Sequence, residues 1–426
     1  MQLTLNDEQR AIQESAHDFL AANAGLERLR EVVDSGTGHD DRLWTSLAGE
    51  MGYAGLMVPE AYGGIGLGAT EMALVLEETG GVLAVTPFFE TAVLGAQLIL
   101  STGHESQKQA LLPDLAAGRI RTSLAMTGET GRPCPEEISV TLERRPTNWR
   151  LHGQASFVTF AHVADWLLVI ARAPGTSGAG AGALSVVAVP RDTPGVSIEC
   201  VPGLDPTRPF SRVTFEQVEV PEDHILGEPE AAGTAVRRTL AIAAGLLAAE
   251  QTGGAAFCLS STVDYAKQRV QFGRAIGSFQ AVKHDLADMM VEVEAARSAV
   301  AYAAAAIEQA AIHLPNGGRA NSALAAIDLP DGVRANSELA SIDLPDRGRT
   351  DSELLEATSV ARVWCTEAFR RCSAQAIQLH GGIGFTWEHH AHLYFKRARS
   401  SSTWLGDPAW HRERIARLIG LGQDHS

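Results

Sequence analysis

The hydrophobic period changes twice along this chain, and that change bounds the fold. Up to about residue 120 the apolar residues recur at helical spacing. Ile12, Ala16 and the Phe19-Leu20 pair, behind a candidate N-cap at Asn6, give one buried face. From Arg121 the pattern shifts to runs rich in β-branched and aromatic residues, bounded by Gly and Pro, at 151–173, 183–190 and 213–220. From about Ala231 long Ala-rich helical runs return. The expected fold is therefore α+β and multidomain: an N-terminal helical domain (1–120), a middle β-barrel-like or sandwich domain (121–228) and a C-terminal helical bundle (229–426). The length of 426 residues agrees, because single cores stop growing at roughly 250–300 residues.

Within the last part, residues 264–284 read DYAKQRVQFGRAIGSFQAVKH. A helical pattern breaks at Phe272-Gly273 and resumes near Gly277-Ser278, with Arg269, Gln271, Phe272 and Gln280 around the break. Arg forks onto phosphate, the following helix offers unpaired N–H groups, and an aromatic edge gives a stacking wall, so the corner suits an anionic, ring-bearing ligand. An ordinary helical hairpin with a solvated Arg fits the same residues. The glycine cluster at 52–68 lacks the strand, Lys and Ser/Thr of a phosphate loop and reads as structural.

A formal net charge of −16 argues against nucleic acid or an anionic membrane as partner. The apolar runs are interrupted too often for a membrane span, and no signal peptide opens the chain. Cys134, Cys200, Cys258, Cys365 and Cys372 show no CxxC spacing, and Cys365 and Cys372 read as buried packing residues. A cytoplasmic enzyme is expected. A three-fold repeat of period 15, starting at Ile312, Ile327 and Ile342, interrupts the helical bundle over about 312–356. Its units are too short and polar for a solenoid, so it reads as an expanded helix–helix loop, either disordered or forming short capped turns from Asn321, Asn336 and Asp351, with a partner-docking arm as the alternative reading.

The 269–280 stretch, the glycine loop at 59–66 and the segment from Gln378 to Phe385 together resemble the acyl-CoA dehydrogenase family over nearly the whole chain. That resemblance implies FAD as cofactor, an acyl-CoA substrate and an electron-transfer flavoprotein or similar acceptor. It also implies that Arg269, Phe272 and Gln280 reach the FAD pyrophosphate and adenine across a dimer interface, and that Gln378, Gly381 and Gly382 pass against the adenine-side phosphates. Thr127 and the Phe157-Val158-Thr159 run match the two flavin-ring motifs, Phe157 as the wall and Thr159 as the N5 partner, although Pro133 stands where the family has Ser.

In the family a carboxylate takes the α-proton while the β-hydride moves to the flavin. Its two usual positions fall here on Leu405 and about Ala243, and neither is acidic. Asp407 is the nearest acid and the expected base if the loop shifts, although Pro408 behind it suits a helix N-cap. Glu250 is a second acid on the face of Ala243, and a salt bridge would account for it as well. His380, His389, His390 and His392 form a cluster, but His389 and His390 would diverge on a helix, so no metal site is expected. The phrase GFTWEHHAHLYFKRA resembles a bacterial subgroup with mixed α2β2 members that act on bulky acyl-CoAs, including steroid side chains. The expected activity is FAD-dependent α,β-dehydrogenation of a bulky acyl-CoA by a homo-oligomer or heterotetramer. The alternatives are a companion subunit without a base, or changed chemistry such as hydration or flavin monooxygenation.

Overall fold

The computed structural model describes residues 5–132, 137–146, 148–176, 183–312 and 347–421. The N-terminal part is helical: α1 (Asp7–Asn23), α2 (Leu26–Ser35), α3 (Asp41–Trp44), α4 (Ala69–Gly81), α5 (Ala96–Thr102) and α6 (Glu105–Ala116), with π-helical turns at Thr45–Glu50 and Phe89–Gly95. Helix α1 begins where the sequence placed its cap. The Asn6 side chain accepts from Gln9 N at 2.8 Å, and Gln9 returns the bond to Asn6 N at 3.1 Å. The glycine loop folds on itself so tightly that a Cβ on Gly64 would stand 2.0 Å from the Val58 carbonyl oxygen.

The middle part is one mixed sheet of β1 (Thr122–Ala125), β2 (Thr141–Arg144), β3 (Trp149–Thr159), β4 (Trp166–Arg172), β5 (Leu184–Pro190), β6 (Val196–Val201), β7 (Phe210–Val220) and β8 (Ile225–Leu226). The order is β6-β7-β3-β2-β4-β5-β8, with β1 parallel to β4. The apolar run at 151–173 becomes two strands because a turn at Ala161–Val163, entered through Phe160 at φ 52°, divides it. The pairing of β3 with β7 slips between Ala155 and Val158, a bulge that sets Phe157 at φ 55°.

The C-terminal part holds α7 (Gly233–Gln268), a two-stranded hairpin of β9 (Val270–Gln271) and β10 (Arg274–Ala275), then α8 (Gln280–Ile312), α9 (Arg347–His380), α10 (Ala391–Ser401) and α11 (Pro408–Leu418). Helix α9 starts inside the third repeat copy. Asp351, expected to open a capped turn, lies within that helix and pairs with Arg238 at 3.3 Å, one turn before the buried stripe of Leu354, Ala357 and Ala361 begins. Asn321, Asn336, Pro133 and Cys134 lie outside the described residues. Helix α7 is apolar enough over 18 residues to pass for a membrane span, contrary to the sequence reading, but 83% of that window is buried inside the protein.

Helices α4 and α7 touch backbone to backbone. A Cβ on Gly80 would meet the Glu250 carbonyl oxygen at 1.9 Å, and one on Gly253 would meet the Glu77 carbonyl oxygen at 1.7 Å. Neither helix can retreat without opening the shared core around Leu76, Leu246 and Leu247. Gly253→Ala should therefore cost about 3 kcal/mol in urea unfolding. Gly382→Ala, whose Cβ would point into open space, should leave stability within about 0.5 kcal/mol. Equal effects at the two positions would contradict this account of the packing.

Candidate active site

The end of β1 and the bulge of β3 build one wall of a cleft. Thr127 follows β1, and its hydroxyl donates to the Ser156 carbonyl, which ties the two strands together. Phe157, turned out by the bulge, is 42% exposed and meets Phe210 edge to face at 6.0 Å. Thr159 is buried, and its carbonyl accepts from the Ser123 hydroxyl. Leu94 from the π-helical turn and Trp404 and Leu405 from the loop after α10 complete the lining with Leu124 and Met126. The three residues read as flavin-ring contacts thus meet in one place.

The other six do not line that cleft. Phe272 and Gly273 form the left-handed turn of the β9–β10 hairpin, at φ 53° and 75°, and Phe272 is 91% exposed. Arg269, at the end of α7, and Gln280, at the start of α8, are also exposed. Gln378, Gly381 and Gly382 lie exposed at the end of α9. The Tyr265 ring joins the two motifs, stacking on His380 at 4.3 Å one turn before Arg269. Nothing stands within 4 Å of where a Cβ would be on Gly273, Gly381 or Gly382, so a ligand or a second chain has room to approach their backbone.

Models of the acyl-CoA dehydrogenase N-terminal, middle and C-terminal domains match residues 6–119, 123–218, and 233–326 with 338–420. The chain belongs to the acyl-CoA dehydrogenase family. It is 32% identical to the acyl-CoA dehydrogenase IpdE2 of Mycobacterium tuberculosis, over 98% of each chain. Among solved structures it resembles the Tcur3481–Tcur3483 steroid ACAD, with TM-score 0.76 and 29% identity over 98% of each chain. The ChsE4–ChsE5 complex of Mycobacterium tuberculosis shares the fold, with TM-score 0.80 and 24% identity over 98% of this chain and 99% of that one.

Against the family pattern, each candidate base is otherwise engaged. Leu405, at the usual acid position, lines the cleft and is 6% exposed. Asp407, two residues on, is the N-cap of α11 and does not line the cleft: its Oδ1 accepts from Trp410 N at 2.7 Å. Glu250 is fully buried between Arg208 at 2.6 Å and Arg397 at 2.8 Å. Burial by itself would raise the Glu250 carboxyl, yet the two guanidinium groups hold it below its ordinary value, the opposite of what a proton acceptor needs. Sequence reasoning offered a salt bridge for Glu250 but missed Arg208 and Arg397; the Asp-Pro-Thr-Arg run at 205–208 is the signal that was available.

The four histidines pack differently from the sequence reading. His389 and His390 precede α10, so their rings stack at 4.2 Å instead of diverging, and His389 tilts against His380 at 4.4 Å. Burial and neighbouring positive charge lower His389 to about 4 and His390 to about 3. No group of three or more His, Cys, Asp or Glu among the described residues has the geometry to hold a metal.

A fifth histidine shapes the cleft. Fully buried His411 meets the Leu405 carbonyl through Nε2 at 3.1 Å and the Ser359 hydroxyl through Nδ1 at 3.2 Å. It helps to hold Leu405 at φ 59°, a conformation rare for a branched side chain. Burial, then the charges of Arg362 and Arg414, push its pKa down from 6.5 to about 2. With the folded value depressed, the unfolded chain binds the extra proton; the stabilisation is complete above about pH 6.5 and drains away as pH falls toward 2. Between pH 6 and 5, unfolding free energy should fall by about 1.4 kcal/mol per pH unit more in the wild type than in His411→Asn. Matching slopes would show that His411 is protonated in the fold.

Proposed function

We propose that this chain is an FAD-holding subunit of an acyl-CoA dehydrogenase that desaturates a bulky, branched or cyclic acyl thioester. Turnover requires a second family subunit, and the electrons leave to an electron-transfer flavoprotein or similar acceptor. The observation that carries this reading is a cleft that keeps Thr127, Phe157 and Thr159 but presents Leu405 where the family has its acid. The similarity to IpdE2 and to a steroid ACAD supports the bulky acyl group.

The residues fit FAD. The exposed Phe157 ring offers a face for a flat heterocycle, and Thr159 a hydroxyl beside it. The exposed Arg269, Phe272 and Gln280, with the open backbone at Gly381 and Gly382, suit a pyrophosphate and adenine held between two subunits. Bound there, FAD supplies hydride acceptance from the β-carbon. This chain's own residues hold and orient the cofactor and shut water out with Trp404 and Leu405. Asp407 is spent on its helix cap and Glu250 on its ion pairs, so removal of the α-proton is assigned to the companion subunit's own site.

Two measurements test the reading. Anaerobic mixing with acyl-CoAs should leave the flavin band of the purified chain unbleached, and adding the companion subunit should bleach it. Leu405→Glu should produce bleaching by this chain alone, with a rate rise of about 100-fold or more, the usual worth of a placed acid–base group. Bleaching by the wild type alone that disappears in Asp407→Asn would overturn the assignment and restore Asp407 as the base. Separately, Phe272→Ala should weaken FAD retention at least tenfold in an equilibrium dialysis series without lowering the melting temperature, because its ring makes little contact within its own chain.

A further inference from the structure

Behind the wall of the cleft stands a charged pair with unused hydrogen-bonding capacity. Glu90 lies in the π-helical turn Phe89–Gly95, about one turn before the cleft residue Leu94, and its side chain is fully buried. Neither carboxylate oxygen completes a hydrogen bond. Burial raises the Glu90 carboxyl above its ordinary value against the opposing charge of Arg208 and the nearby Thr159 hydroxyl, and its ion-pair partner, Arg208 Nε, is 3.7 Å away, beyond hydrogen-bond range. Arg208 is equally buried. Its Nη2 donates to Glu250 at 2.6 Å, while Nε and Nη1 find no acceptor. The guanidinium lies 4.5 Å over the ring of Trp404, which lines the cleft and is only half-buried.

Buried polar atoms are nearly always satisfied. Here four unmet atoms, two acceptors and two donors, gather behind a half-buried aromatic side chain at the edge of a binding cleft. We propose that Glu90 and Arg208 recognise a hydroxyl group on the acyl tail of the thioester, reached when the Trp404 ring swings aside; the assignment rests on the reading of the cleft as an acyl-CoA site. A hydroxyl can both accept from Arg208 and donate to Glu90 from one small neutral group. A hydrocarbon tail leaves all four atoms unmet. A carboxylate tail satisfies Arg208 but would bring a third acidic group beside Glu90 and Glu250. A neutral hydroxylated tail is the group that fits.

The test is equilibrium binding by calorimetry, on the flavin-loaded chain, of three acyl-CoAs that share one cyclic skeleton: unsubstituted, ring-hydroxylated and ring-carboxylated. The hydroxylated thioester should bind about 10–100-fold tighter than the unsubstituted one, the usual worth of hydrogen bonds to charged groups. The carboxylated one should bind no better than the unsubstituted. Glu90→Leu should abolish the preference and leave affinity for the unsubstituted thioester intact or improved. Glu90→Gln, which keeps an acceptor and the side-chain shape, should retain part of the preference and serves if the Leu variant does not fold. Equal affinities in the wild type, or a preference untouched in both variants, would overturn the proposal. If no thioester binds the wild type, the acyl-CoA reading of the cleft falls too, whereas equal binding of all three removes only the hydroxyl. Isotope exchange of the thioester α-proton that vanishes in Glu90→Gln with ligand preference unchanged would make Glu90 a proton acceptor and likewise overturn the assignment.

Discussion

Glu250 is gripped by two buried arginines, and the seating of the middle part of the chain on the C-terminal helices depends on that grip. Arg397, on α10, gives Nη1 to Glu250 at 2.8 Å, Nε to Asp205 at 2.9 Å and Nη2 to the Thr207 carbonyl at 2.9 Å. Arg208, on the same β6–β7 loop as Asp205, takes the other oxygen of Glu250. Taking such charges out of water costs several kcal/mol each, and the cost is recovered fully on the Arg397 side, whereas Arg208 brings only Nη2 to an acceptor. Removing one member would leave a bare buried charge at a cost of about 3–5 kcal/mol. The network therefore says less about net stability than about geometry. It accepts a single placement of the β6–β7 loop relative to helices α7 and α10, and the cleft is formed at that junction.

The glycine contacts decide where Glu250 can be. Gly80 of α4 packs directly on the Glu250 carbonyl, and Gly253, one turn further along α7, receives the Glu77 carbonyl. Backbone contact fixes α7 along its axis more tightly than side-chain packing does, because a backbone has no rotamers with which to adjust. The carboxyl of Glu250 is thus delivered to a set depth between the domains. Arg208 follows it, and by lying over Trp404 it carries that placement to the cleft wall.

Local features were legible in the sequence and long-range ones were not. The Asn6 cap and the break at Phe272-Gly273 each depend on a few consecutive residues, and both stand where the sequence put them. The hairpin strands at that break were not foreseen, because two residues per strand are too few to show a period. The bulge at Phe157 depends on how β3 registers against β7, more than fifty residues away, so its left-handed backbone had no local sign. The ionic network joins residues up to 192 positions apart. In sequence Glu90 is one acid in an apolar run, and only the fold shows it buried without a hydrogen bond. The same limit explains the histidines: whether His389 and His390 stack or diverge turns on where α10 begins, and cluster spacing does not decide that.

The loop around Leu405 is held by a dense scaffold. Arg362 donates to the Ser401 and Trp404 carbonyls and is itself held by Gln251 and Thr366. His411 meets the next carbonyl, that of Leu405, and Asp407 caps the helix that follows. Leu405 is thereby kept in a left-handed conformation that costs of order 1–3 kcal/mol, at a position where no proton can be taken. A loop freed from any task would be expected to relax such a conformation. The strained turn is understandable if the side chain at 405 faces a ligand, because there Leu405 acts as a wall of the cleft and not as a proton acceptor. On the proposed reading, holding the cofactor and the acyl group falls to this chain and removal of the α-proton to its companion, because Leu405 lines the cleft where the acid would stand.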